Sequence, residues 1–406
     1  MRRGLRRILA YWRAERRTIT QGFVALLLAT IGSLTAGVVL GGITGTLERL
    51  PGLMVLVPAA IATRGNIFGA LASRLGTSIH AGLFAPSRER EGVLYQNVYA
   101  ATVLTFAVSL VLAVLAKTLS EAFGVRTISL LDFVVIALVG GILASIFVAA
   151  FAVFLAMRAH RRGWDLDSVA APLVTAAGDM FTVPALFVAS FVVGIRWVTV
   201  SVAVAVILGA VAVTSIGVFT NLPLARRIVR ESFPMLLLAG TIDVLAGLVV
   251  QARLDQFVSL PALLMLVPPI LGNAGGLGGL LSARLASKLH LGVITARGRP
   301  DSLAVLDFSI VVLIALVTFP ILGLAADVVA AVLDLASPGP ARMMGITLMA
   351  GTMATVIGAL VAYYTAAATH RVGLDPDNHG IPMITSSMDF FGVVSIVIAL
   401  VAFGVI

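Results

Sequence analysis

The chain contains no cysteine, which excludes disulfides and any thiolate-ligated metal. It is also poor in charge. Only 12% of its 406 residues are Asp, Glu, Lys or Arg, against about a quarter in an ordinary soluble domain. There are five histidines, and neither an HExxH zinc helix, a P-loop nor a nucleophile elbow occurs. What fills the space is apolar: 60% of residues are hydrophobic and the mean hydropathy is +1.08. No water-soluble packing hides that much apolar surface, so the solvent for most of the chain is lipid. The net charge of +9 does not point to nucleic acid, because the basic residues stand in short clusters between apolar runs, as membrane-flanking charges do.

A spanning helix needs roughly 20 apolar residues. Eleven stretches qualify, approximately 20–42, 52–84, 97–116, 132–157, 172–194, 198–220, 233–251, 261–292, 307–330, 345–367 and 382–405. Arg196 and Trp197 divide the long run 172–220, and that pair suits a membrane interface. With the amino terminus cytoplasmic, the basic clusters SRERE (87–91), RAHRRGW (158–164), LARRIVR (224–230), ARGRP (296–300) and THR (369–371) all fall on the inner side. The opening MRRGLRRILAYWRAERR is read as a surface-lying amphipathic segment before a retained first span. The expectation is a multi-pass protein of the plasma membrane.

The strongest signal is internal repetition. LPGLMVLVPAAIATRGNIFGALASRLGTSIHAGL from Leu50 reappears as LPALLMLVPPILGNAGGLGGLLSARLASKLHLGV from Leu260, a constant offset of 210 residues. The same offset carries Phe23 onto Phe233, and HRRGWDLDSVAAPLVTAAGDM from His160 onto HRVGLDPDNHGIPMITSSMDF from His370. Each copy holds five spans. The span 198–220 has no counterpart and restores a common orientation to both copies. The expected fold is therefore all-α and polytopic, with about eleven transmembrane helices as two parallel five-helix repeats joined by one linker helix. Its parts are a basic segment 1–19, a first repeat 20–195, a linker 196–228 and a second repeat 229–406. A path for solute at the repeat interface is the usual consequence of such duplication.

Charges inside a span are costly and point to function. Asp179 and Asp389 each lie seven residues beyond a proline, Pro172 and Pro382, a rise of about 10 Å into the apolar layer. Mg2+ takes oxygen ligands, commonly one or two carboxylates with retained water, and two symmetric aspartates suit it. Structural aspartates, hydrogen-bonded or protonated in place, are the competing role. Thr175 and Thr385 lie one turn earlier on the same faces, as path-lining hydroxyls or as back-bonded helix threonines. Pro58 with Arg64-Gly65-Asn66, and Pro268-Pro269 with Asn273 and its glycines, predict broken helices whose freed carbonyls face a cavity, or else close helix packing. Asp243 is mid-span where its repeat partner is Ser33. It reads as an accessory or coupling-ion ligand, or as a structural partner of Arg74 or Arg284. Asp165, Asp167, Asp375 and Asp377 precede helices and read as amino-terminal capping acids, or as acids that gather cations at the inner mouth.

These blocks resemble the membrane domain of the MgtE magnesium transporter family, above all its doubled branch, the eukaryotic-type magnesium solute carriers. The resemblance implies Mg2+ transport, with no enzymatic activity, through a pore lined by the second and fifth helices of each unit. It makes Asp179 and Asp389 the central ligands and places the family's helix-two asparagine at Asn66 only. The asparagine that precedes the helix-five proline in single-unit members is Ala171 and Ile381 here, and the chain has no segment for their cytoplasmic magnesium-sensing region. The implied partners are the bilayer and Mg2+ or another divalent cation, with Na+ or H+ as a coupling ion. Alternatives are a carrier for another divalent metal, a Na+-coupled Mg2+ exchanger and, from another class, an intramembrane aspartyl protease.

Overall fold

The computed structural model describes residues 2–87, 89–162, 166–295, 298–372 and 376–405. Within them the chain forms α1 (Arg2–Ala14), α2 (Arg16–Gly42), α3 (Thr44–Arg49), α4 (Leu53–His80), α5 (Val93–Ala122), α6 (Leu130–Arg162) and α7 (Leu166–Ser190). It continues with α8 (Arg196–Val218), α9 (Pro223–Gln251), α10 (Leu254–Ser259), α11 (Pro261–His290), α12 (Ser302–Val332), α13 (Pro340–Val372) and α14 (Pro376–Ala402). Among the described residues eleven helices are long and apolar enough to cross a membrane. In lipid every backbone group must be bonded within its own segment, and helices do that.

Several sequence expectations change. The runs around Pro58 and Pro268-Pro269 are not broken: α4 and α11 are continuous helices. A proline deletes one intrahelical hydrogen bond, and the flanking turns and a crowded apolar environment hold the rest. Pro172 and Pro382 do not open their helices, which begin six residues earlier at Leu166 and Pro376. The basic stretch 224–230 is no loop but the first turns of α9, opened by Pro223 at its amino terminus.

The helices gather into two compact units, Gly42–Leu254 and a second made of Met1–Gly41 with Asp255–Ile406. The first span of each repeat therefore packs with the other repeat's remaining helices. In the first unit a β-carbon at Gly247 of α9 would collide with the Val55 carbonyl of α4. In the second, a β-carbon at Gly37 of α2 would collide with the Met265 carbonyl of α11. The offset of 210 maps Gly37 onto Gly247 and Val55 onto Met265, so one contact is built twice. Glycine is required at both places because backbone meets backbone. Asn273 adds a polar tie in the second unit, with its Nδ2 donating to Thr30 Oγ1 at 2.9 Å and to the Pro269 carbonyl at 2.8 Å.

The unpaired helix α8 packs on α5 and α6 of the first unit along a narrow stripe, Thr199, Ala203, Ala210 and Gly217. Trp197, Leu208 and Ile216 on it are largely exposed, as expected of side chains facing lipid tails.

Candidate metal-ion path

In the first unit α4 and α7 cross at glycines. A β-carbon at Gly178 would stand 3.3 Å from the Gly65 amide nitrogen and 3.6 Å from Arg64 Cβ. A β-carbon at Gly65 would stand 3.1 Å from Thr175 Cγ2, and one at Gly69 3.3 Å from Thr175 Oγ1. Small residues on both helices thus bring the Thr175 hydroxyl against α4, with Asp179 one turn further along the same face of α7. Asp179 is buried, with 5% of its surface exposed. Thr175 is half-buried at this crossing, and Asn66, next to Gly65 on α4, is half-buried too. One turn on, Thr182 donates back to the Gly178 carbonyl at 2.6 Å, the back-bonded state that the sequence left open for Thr175.

The second unit repeats the crossing with α11 and α14. A β-carbon at Gly275 would lie 3.6 Å from Thr385 Cγ2, and one at Gly278 2.7 Å from Ile384 Cγ2. Thr385 donates to the Pro382 carbonyl at 3.1 Å, so this threonine is partly spent on its own helix. Asp389 is half-buried, more open than Asp179. The sequence expectation put Asp179, Thr175, Asp389 and Thr385 on the fifth helices and Asn66 on a second helix; Thr175 and Thr385 lie against glycines of the facing helix, Gly65 with Gly69 and Gly275.

Asp243 is fully buried in α9, between the close contacts of Gly240 with Leu112 and Gly247 with Val55. The two arginines considered as its partners are engaged elsewhere. Arg74 Nε donates to Asn97 Oδ1 at 2.8 Å, and Arg284 pairs with Asp307 at 2.7 Å and Glu15 at 3.1 Å. Asp165 and Asp375 lie outside the described residues, and Asp167 and Asp377 are the second residues of α7 and α14. The histidines stay at helix ends: His290 meets His370 edge-on at 5.3 Å, and His160 meets Phe84 at 5.1 Å.

Two features escaped the sequence reading. Arg64, one residue from the Gly65 crossing, is 1% exposed; its Nη2 donates to Ser109 Oγ at 2.9 Å, and its Nε and Nη1 have no hydrogen-bond partner. Its repeat mate is Ala274. The other is a polar cluster at the end of α11. The buried Asp307 accepts from Arg284, from Lys288 Nζ at 2.6 Å and from Tyr11 Oη at 2.8 Å. The hydrogen bond from Arg284 holds the Glu15 carboxyl below the usual carboxylate range, and burial raises the Tyr11 phenol. The i, i+4 pairing of Arg284 with Lys288 and the 23-residue step to Asp307 were visible in the sequence, but nothing there signalled that α1 would reach them.

Among the described residues no three His, Asp or Glu side chains gather into a metal cluster. On α7 and α14 alike a carboxylate, Asp179 or Asp389, stands four residues beyond a threonine, Thr175 or Thr385.

The profile of the MgtE family, described as a divalent cation transporter, matches residues 57–189 and 267–399. The chain belongs to that family. Both matched stretches begin on the second helix of a repeat and end on its fifth, so they span the two glycine crossings. Among curated proteins, the chain is 26% identical over 400 residues to solute carrier family 41 member 3 of Rattus norvegicus, covering 92% of this chain and 85% of the relative. To the Mus musculus member 3 it is 25% identical over 393 residues, covering 92% and 80%. To solute carrier family 41 member 2 of Homo sapiens it is 26% identical over 295 residues, covering 67% of this chain and 48% of that protein. No solved structure matches the chain. It is a multi-pass membrane protein of a divalent cation transporter family, in the doubled form.

Proposed function

We propose that this MgtE-family chain moves Mg2+ across the plasma membrane, with its amino terminus in the cytoplasm and Asp179 and Asp389 as the ion-binding carboxylates. The observation that carries this reading is the burial of Asp179 on the α4–α7 crossing, with Asp389 at the repeat-related position on α11–α14. A carboxylate inside a span is retained at a cost, and two of them at equivalent places fit an ion path better than two unrelated structural roles. Mg2+ dehydrates reluctantly and takes one or two carboxylates with its remaining waters. Thr175, Thr385 and Asn66 serve as neutral oxygen groups beside them, and Asp243 as an accessory acid on α9. Asn66 is met by Gly276 in the second repeat, so the two halves of the path are not equivalent.

The test is Asp179→Asn and Asp389→Asn, each measured for Mg2+ uptake into liposomes and for thermal stability at equal protein density. Asn keeps the shape and one carbonyl oxygen and loses the charge. In a low-dielectric path that loss costs several kcal/mol of occupancy, so flux should fall by about two decades or more at nearly unchanged stability. Normal flux in both variants sinks the assignment. Repeating the assay with other divalent cations, and with imposed Na+ or proton gradients, separates Mg2+ transport from a carrier for another metal or a coupled exchanger.

A further inference from the structure

The amino-terminal helix has two faces. Ile8, Tyr11, Trp12 and then Glu15, spaced as one helix stripe, turn inward. Trp12 Nε1 donates to Ser309 Oγ at 3.0 Å, Tyr11 Oη to Asp307, and Glu15 pairs with Arg284. Lys288 also lies over the Tyr11 ring, 5.5 Å from its centre. The docking is therefore anchored at the ends of α11 and α12, where these spans leave the membrane.

The opposite face carries Arg6, Leu9, Ala10, Arg13 and Arg17, all exposed, with Arg7 and Arg16 beside it. Glu15 is the one acid in the first seventeen residues, and Arg284 occupies it. The outward face thus holds fixed positive charge with no acid of its own. Leu9 stands in the middle of it, 41% exposed between Arg6 and Arg13. Water disfavours that apolar side chain, whereas the boundary of headgroups and acyl chains accepts it together with its arginines. The helix also joins α2 directly, so it lies at the membrane surface rather than out in solution.

We propose that α1, with the first turn of α2 that continues it, is a lipid-binding strap whose Arg6–Arg13–Arg17 face takes anionic phospholipid headgroups while its Tyr11–Trp12–Glu15 face holds the ends of α11 and α12. Basic clusters directly beside a span attract acidic lipid at roughly a factor of five per residue. This surface does not depend on which ion is carried.

The absence of cysteine makes the test direct. A Leu9→Cys variant of the full chain is labelled with a fluorophore and reconstituted into vesicles of phosphatidylcholine and phosphatidylglycerol. Quenching is compared for headgroup-nitroxide versions of the two lipids. The expected result is stronger quenching by the anionic lipid, an excess that high salt removes. Arg6→Gln/Arg13→Gln/Arg17→Gln should abolish the excess, and the matching Lys triple variant should keep it. Equal quenching by both lipids in the starting protein overturns the proposal. So does an excess that survives the Gln substitutions, or one that is lost with Lys, since then positive charge is not what selects the lipid.

Discussion

At the residue scale, the most informative comparison is between two arginines at one repeat position. Arg74 hydrogen-bonds the neutral Asn97, and Arg284 pairs with the buried Asp307, each across the same 23 residues of sequence. The extra charge on Asp307 is matched by Lys288, whose repeat mate is Ser78. Removing one member of a buried pair strands the other, at about 3–5 kcal/mol. Asp307→Asn alone should therefore lower the melting temperature sharply. Adding Lys288→Ser rebuilds the Arg74 arrangement and should recover a large part of the loss. Thermal melts of the two singles and the double close the cycle, and additive losses would show that Lys288 and Asp307 do not act as a pair. The candidate ion residues were legible in the sequence because a carboxylate in an apolar run stands out against its surroundings. Arg64 was not, because an arginine near a predicted helix break reads as a loop residue until the helix proves continuous.

Small residues rather than polar ones decide how the elements meet. Lipid tails are as apolar as leucine, so helices associate in a bilayer through close packing. Gly37 and Gly247 stand where a β-carbon would meet a carbonyl of the facing helix, while nothing lies within 4 Å of a β-carbon at Gly209 on the lipid-facing side of α8. Gly37→Ala and Gly247→Ala should each destabilise by about 1–3 kcal/mol, as overpacking does. Gly209→Ala should be neutral or stabilise by up to about 1 kcal/mol, the helix-propensity difference. Melting curves in detergent decide it; equal, harmless effects at all three positions would contradict the close crossings. The count and placement of the spans could be read from hydropathy, since length and apolarity are local properties. The continuity of α4 and α11 through their prolines could not, because a proline's effect on a helix depends on what packs around it. Helix partners were equally hidden: nothing in the periodicity of α2 distinguishes a neighbour 30 residues away from one 230 away.

For the whole molecule, eleven spans require the two ends of the chain to lie on opposite sides of the membrane. Tags at the two termini should report the amino terminus inside and the carboxyl terminus outside; both on one side would refute the span count. The repeat itself was legible, but the exchange of first helices was not, and it leads to a sharper expectation. α9 follows the segment 219–222 that links the unpaired helix α8 to the second repeat, yet packs on α4 and α5 of the unit Gly42–Leu254. α2 precedes that link and belongs with Asp255–Ile406. A chain cut in this link gives two fragments, each carrying the first helix of the other's unit. Neither fragment alone can then bury the glycine seam of its orphaned helix. Each should be unstable when expressed singly, and the two should copurify and melt together when co-expressed. Gly247→Ala in the second fragment should weaken that copurification, because it acts at the seam that joins α9 to α4. Two fragments that are each monodisperse alone and do not associate would mean that every helix packs within its own repeat, and the exchange would be wrong.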